Sequence, residues 1–128
     1  MLRAQAGVHA VASQLLLRGI SVSFPAVDTG YDLLIESGLR IQVKSANLRI
    51  NSTGNYFDGA YGFHLRRGDW DSKTKSYSRK SYRAYNVVAD YFVLWGIDEN
   101  RFFILPTSAK PRTVWFSRRG TISRSKNS

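Results

Sequence analysis

The chain has 128 residues, 43% hydrophobic and 13% aromatic, and contains no cysteine. That is enough for a single domain with its own core, and it excludes a disordered chain, a disulfide framework and a thiolate zinc site. Nineteen Lys and Arg against nine Asp and Glu give a net charge of +10 and a pI near 10.3, a field that attracts polyphosphate backbones. The excess is lopsided: residues 1–60 hold five basic and four acidic side chains, residues 61–128 fourteen and five. No apolar run approaches the ~20 residues of a membrane span and no signal-peptide layout opens the chain, so a cytoplasmic, intracellular protein is expected.

Taken in order, residues 4–18 have helical periodicity, with Ala4, Val8, Val11, Ala12, Leu15 and Leu16 on one face. Gly19 stands where a left-handed residue ends a helix. Ile20–Phe24 alternates and is predicted as a strand stopped by Pro25. Tyr31–Ile35 and Leu39–Ala46 are predicted as a hairpin. A three-residue loop, Glu36-Ser37-Gly38 with Gly38 left-handed, pairs Ile35 with Leu39, Leu33 with Ile41 and Tyr31 with Val43 on a continuous apolar face. A two-residue turn at Ser37-Gly38 would mix apolar and polar residues on both faces, so burial selects the longer loop. Residues 47–59 are predicted as loop and Ala60–Leu65 as a strand. Val87–Trp95 and Arg101–Leu105 form a second predicted hairpin, turned by Asp98-Glu99-Asn100 and closed by Pro106. Val114, Trp115 and Phe116 are expected to dock on the core, and residues 123–128 to fray.

The selected register gathers chemistry on the other face of the first hairpin. It sets Asp32 opposite Gln42, with Lys44 one diagonal step away. Hydrolysis of a phosphodiester needs a divalent cation that neutralises phosphate charge and acidifies a water, and hard oxygen donors suit Mg²⁺ or Mn²⁺. Asp32 offers a carboxylate, Gln42 an amide oxygen and Val43 a backbone carbonyl. Lys44 can hold the water or stabilise developing negative charge. The spacing D-x9-Q-x-K also arises by chance, with Arg40, Gln42 and Lys44 as the solvent side of an edge hairpin.

Beyond spacing, the run VASQLLLRGISVSFPAVDTGYDLLIESGLRIQVKSA (residues 11–46) resembles the core of the PD-(D/E)xK nuclease superfamily. More narrowly, it is similar to the branch of group I intron endonucleases and Holliday-junction-resolvase-like enzymes. The matching stretches are Leu16-Leu17-Arg18-Gly19, Tyr31-Asp32-Leu33-Leu34-Ile35 and Ile41-Gln42-Val43-Lys44-Ser45. Asp90-Tyr91-Phe92-Val93 and Phe102-Phe103-Ile104-Leu105-Pro106 resemble the closing strands. The resemblance implies an α/β, restriction-endonuclease-like core, a mixed sheet with the N-terminal helix on one face. It implies Asp32 as metal-binding aspartate, Gln42 at the second ligand position, Lys44 as catalytic lysine, and Ser45 touching the DNA backbone. Two departures stand out. The second ligand is Gln42 rather than a carboxylate. The N-terminal helix, which often carries a glutamate facing the metal, has none here, Val8 or His9 occupying that stretch.

The basic segment Arg66, Arg67, Lys73, Lys75, Arg79, Lys80 and Arg83, interleaved with Trp70, Tyr77 and Tyr82, is a candidate nucleic-acid surface, with Arg112, Arg118, Arg119, Arg124 and Lys126 as a second clamp. Surface or structural roles fit His9, His64 and Glu36, a loop position fits Asp28, and core or subunit contacts fit Trp95 and Trp115. The expectation is a nuclease-like domain over residues 1–106 and a basic extension over 107–128. Its function would be metal-dependent endonucleolytic cleavage of double-stranded or branched DNA by a homo-oligomer. The alternatives are a catalytically impaired relative that only binds DNA or RNA, a DNA-packaging protein on the same scaffold, or an RNA-binding accessory domain.

Overall fold

The computed structural model describes residues 2–27, 29–49, 59–65, 69–71, 76–78, 85–117 and 122–124. It opens with helix α1 (Leu2–Leu17), followed by strands β1 (Val22–Ser23), β2 (Leu33–Ile35), β3 (Arg40–Ala46), β4 (Leu48–Arg49), β5 (Ala60–His64), β6 (Asp69–Asp71) and β7 (Ser76–Ser78). A short helix α2 (Tyr85–Val88) leads to β8 (Tyr91–Gly96), β9 (Arg101–Pro106), a 3₁₀ turn (Thr107–Ala109), β10 (Thr113–Ser117) and β11 (Ile122–Arg124).

The first hairpin has the register that burial selects. Leu33 pairs with Ile41 and Leu34 with Arg40, the Ile35 N–H donates to Leu39 O at 2.9 Å, and Gly38 takes φ 95° in the loop. The chain then pairs β3 with β8 in parallel, Ile41 with Tyr91 through Ala46 with Gly96, so the five-stranded sheet β1-β2-β3-β8-β9 is mixed. Alternation assigns its two faces. Leu33, Ile41, Val43 and Val93 pack beneath Val11 and Ala12 of α1, with Val8 and Leu15 at the margin. Burying those side chains supplies ~1.5–3 kcal/mol for each large one. On the reverse face Phe92, Leu94 and Leu105 meet Tyr61, Phe63, Val114 and Phe116. These come from a second, four-stranded sheet, β11-β10-β5-β4.

Several sequence expectations shift. Val87 and Val88 belong to α2 rather than to a strand, because Ala89 N–H closes a helical turn on Tyr85 O at 2.8 Å and β8 starts only at Tyr91. Of Ile20–Phe24 only Val22 and Ser23 join a ladder, and Phe24 is exposed. Leu48 and Arg49, expected in a loop, pair with Tyr61 and Ala60. Leu16 points to solvent. Val114 and Phe116 are buried as expected, in a full strand pairing with β5 from Thr113–His64 to Ser117–Ala60.

The passage from one sheet to the other is pinned. Asp98, in the β8–β9 turn, accepts the Leu48 N–H at 2.8 Å and the Asn47 Nδ2 at 3.0 Å. These bonds hold its carboxyl below the usual carboxylate value of 3.8, the backbone bond first. In the same turn Glu99 N–H donates to the Tyr61 hydroxyl, which donates to Glu99 Oε1, so burial and the Glu99 carboxylate push the Tyr61 phenol up. Thus β3 runs on into β4 with a bend at Asn47 clamped from the side.

Candidate active site

The site exists because β2 is shorter than β3. Pairing between them begins at Leu33–Ile41, while β3 continues to Ala46. Along that upper stretch β8 occupies one edge of β3, and the edge toward β2 is left to Asp32 and a cleft. Asp32 is fastened there twice: its N–H donates to Ile41 O at 2.8 Å, and its Oδ2 accepts the Val43 N–H at 2.8 Å. Within a strand the N–H and C=O of one residue face the same edge. The Val43 carbonyl therefore faces the Asp32 side rather than β8.

A cleft of about 470 Å³ lies at this edge, lined by Asp32, by Gln42, Val43, Lys44 and Ser45 of β3, and by Arg3, Ala4, Gln5 and Val8 of α1. The four residues expected to hold the metal and do the chemistry (Asp32, Gln42, Val43 and Lys44) thus share one cavity, with Ser45 beside them. Lys44 Nζ stands 5.1 Å from the Tyr85 ring centroid, and Tyr85 in turn packs edge-on against Phe92 at 5.2 Å. Helix α2 so forms a wall behind the lysine. Its position is fixed by Arg40, whose Nη1 donates to Val87 O at 3.0 Å and whose Nη2 pairs with Asp90 Oδ1 at 3.2 Å. Asp90 Oδ2 also accepts the Arg40 N–H and Nε–H. These bonds to Arg40 hold the Asp90 carboxyl below its usual value and raise the Arg40 guanidinium.

The helix residue facing the cleft is Val8, with Gln5 one turn earlier. His9 is exposed and lies 5.4 Å from the Phe24 ring. The stretch where a glutamate is often found is accordingly apolar on its site-facing side. Among the described residues no three His, Cys, Asp or Glu cluster as a metal cage. The candidate donors on the strand side are hard oxygens: the Asp32 carboxylate, the Gln42 amide and the outward-facing Val43 carbonyl. That set fits Mg²⁺, which typically keeps several waters and takes one or two carboxylates plus substrate phosphate.

Ser45 lines the cleft on its α1 side. Its Oγ is buried without a hydrogen-bond partner among the described residues, and Gly7 lies so close that a Cβ there would overlap it. Arg66, Arg67, Lys73, Lys75, Arg79, Lys80, Arg83, Asp28, Arg118, Arg119 and Lys126 lie outside the described residues. His64 is exposed, with Nδ1 3.4 Å from Thr113 Oγ1. Three participants escaped the sequence reading. Arg3 and Gln5 carry no signal beyond their place on the helix face that leads into Val8. Tyr85 reaches Lys44 only through the tertiary packing of α2.

With this geometry in hand, the sequence matches the PD-(D/E)XK endonuclease family over residues 2–120. The chain belongs to that family. Its fold is also that of a bacterial homing endonuclease, I-Ssp6803I, with a TM-score of 0.68 at 22% identity, covering 99% of this chain and 80% of that one. No curated protein matches the sequence. The restriction-endonuclease-like α/β fold expected from the sequence is the one observed, and the chain is a nuclease by family. Among the described residues no helix is long and apolar enough to cross a membrane.

Proposed function

We propose that this nuclease is a divalent-metal-dependent endonuclease that hydrolyses phosphodiester bonds in double-stranded or branched DNA, with Asp32, Gln42 and Lys44 as its working residues. The observation that carries this reading is the convergence of Asp32, Gln42, Val43 and Lys44 on one cleft, in a chain of net charge +10.

In this reading the scissile phosphate enters between α1 and β3. Arg3, in the first turn of α1, which carries no acidic side chain, supplies positive charge to hold it, and the helix dipole adds to that field. Mg²⁺ or Mn²⁺, held by Asp32, Gln42 and the Val43 carbonyl, would neutralise phosphate charge and lower the pKa of a bound water. The Val43 N–H holds the Asp32 carboxylate at the edge of the cleft. Lys44 positions the attacking water and offers its ammonium to the charge that develops on the phosphate oxygens. Cutting both strands of a duplex calls for two such sites, so the working form is a homo-oligomer.

One observation favours a second reading, a relative that binds DNA or RNA without cutting it: among the described residues a single carboxylate lines the cleft, with Val8 on the helix side. The test is cleavage of supercoiled plasmid and of a synthetic four-way junction with Mg²⁺ and with Mn²⁺, for wild type, Asp32→Ala and Lys44→Ala. Metal-dependent nicking that both substitutions abolish is the expected result. Intact binding with no nicking under either metal selects the second reading, and light scattering of the free and DNA-bound protein checks the oligomer.

A further inference from the structure

The outer face of the second sheet, joined to the candidate catalytic strand β3 through the bend at Asn47 into β4, carries a surface that the nuclease site does not use. Tyr61 and Phe63 of β5 and Val114 and Phe116 of β10 point into the core, so Gly62, His64, Thr113 and Trp115 face outward. Trp115 sits opposite Gly62 in the ladder, and its ring lies flat there because Gly62 has no side chain: a Cβ would meet ring carbons at 2.6–2.9 Å. The Arg49 guanidinium caps that ring at 5.6 Å from its centroid. Arg49 is itself exposed, so the contact orients its planar fork without hiding it.

Three properties of this face define a partner. The strands β4, β5, β10 and β11 contain no carboxylate, while Arg49 and His64 supply cationic or donor groups, which suits a polyanion. The Trp115 ring has the sheet at Gly62 on one side and a guanidinium over it, so it does not offer a platform for stacking an unpaired base. Finally, Arg49 follows Lys44 by five residues on the β3–β4 run, a reach of at most ~17 Å at ~3.3 Å per residue. That spans about five base pairs of B-form duplex.

We infer that the β4–β5–β10 face is a duplex-DNA recognition surface, with Arg49, held by Trp115, reading a groove within about five base pairs of the bond cut at Lys44. The inference rests on the nuclease reading and names how that site would choose its substrate. Arginine is the side chain best suited to bidentate recognition of a guanine edge in the major groove.

The experiment uses Lys44→Ala protein, which keeps DNA intact, with a fluorescent 30-base-pair duplex of arbitrary sequence and the matching single strand, over a salt series. Adding Arg49→Ala is expected to weaken duplex binding about tenfold and to lower the salt slope by about one. Arg49→Lys is expected to restore the slope yet lose the sequence enrichment that the parent shows when duplexes are selected from a randomised library. Unchanged duplex affinity in Arg49→Ala, a loss confined to the single strand, or enrichment retained in Arg49→Lys overturns the inference. Plasmid cleavage by protein with Lys44 intact separates the two claims. Cleavage with no dependence on Arg49 leaves the nuclease and removes this surface, whereas Arg49-dependent duplex binding without cleavage does the reverse.

Discussion

The Asp32 carboxylate accepts the Val43 backbone N–H at 2.8 Å, so this carboxylate of the cleft is held by the strand that also carries Gln42 and Lys44. Asparagine can accept the same bond through its amide oxygen but carries no charge. Asp32→Asn is therefore expected to keep the wild-type melting temperature within a degree or two while single-turnover DNA cleavage falls by at least ~100-fold. A parallel loss of fold, read by circular dichroism, would reduce Asp32 to a structural clasp.

Val8 lines the cleft from α1, and a carboxylate there would give the site a second charged ligand. Val8→Glu is expected to lower the Mg²⁺ concentration that gives half-maximal cleavage, at a stability cost of about 1–2 kcal/mol for placing a charge at a half-buried position. A metal titration of cleavage, set beside urea melts with and without Mg²⁺, checks both halves. An unchanged metal requirement would place Val8 away from the working cation.

Lys44 stands over Tyr85. A cation–π contact at a partly exposed site contributes about 0.5–1 kcal/mol, so Tyr85→Leu is expected to slow single-turnover cleavage about 2- to 5-fold, with Tyr85→Phe close to wild type. Equal rates in all three proteins would show that Lys44 is positioned by β3 alone.

Ser45 carries a buried hydroxyl with no hydrogen bond among the described residues, pressed against Gly7. Removing an unsatisfied buried polar group stabilises by about 1–3 kcal/mol, so Ser45→Ala should raise the urea midpoint and leave DNA affinity unchanged. Gly7→Ala should destabilise by about 1–3 kcal/mol through overpacking, and less in the Ser45→Ala background. A Ser45→Ala protein with weakened DNA binding would instead place the hydroxyl on the phosphate backbone.

The Asp90 carboxyl is held below its usual value of 3.8 by hydrogen bonds from Arg40. A carboxylate with a lowered folded-state pKa contributes stability that is complete above its unfolded value and is lost as pH falls through the folded one. Asp98 follows the same sign. Stability should thus be flat near neutrality and fall below about pH 4. Asp90→Asn should cost about 1 kcal/mol at pH 7, the upper range for a solvent-screened pair, and flatten part of the acid limb. Chemical melts from pH 3 to 7 measure both.

How far the sequence reached depended on how local the deciding interactions are. The Leu33–Ile41 register and the gathering of Asp32, Gln42 and Lys44 were legible because hairpin burial and a glycine loop operate within fifteen residues, from Tyr31 to Ser45. Val87 and Val88 misled because β-branched residues ahead of an apolar run imitate a strand. What ends the helix and starts β8 is Asp90 captured by Arg40, fifty positions away. The second sheet was equally hidden: Leu48-Arg49 is too short to show alternation, and its strand character comes from pairing with β5 and from Asp98.

The parallel ladder between β3 and β8 has a consequence for the order in which the chain is made. Every pair in it joins residues fifty apart, from Ile41–Tyr91 to Ala46–Gly96. Asp32, Gln42 and Lys44 therefore leave the ribosome long before the strand that completes their sheet, and non-local parallel pairing is slow to form even then. A product released before residue 91 carries the whole candidate set on a strand with a bare edge, and Val43 lacks its ladder neighbour Val93 beneath α1. For a nuclease, this delays competence: the candidate residues are encoded early and meet their completed sheet only once the chain has passed residue 96.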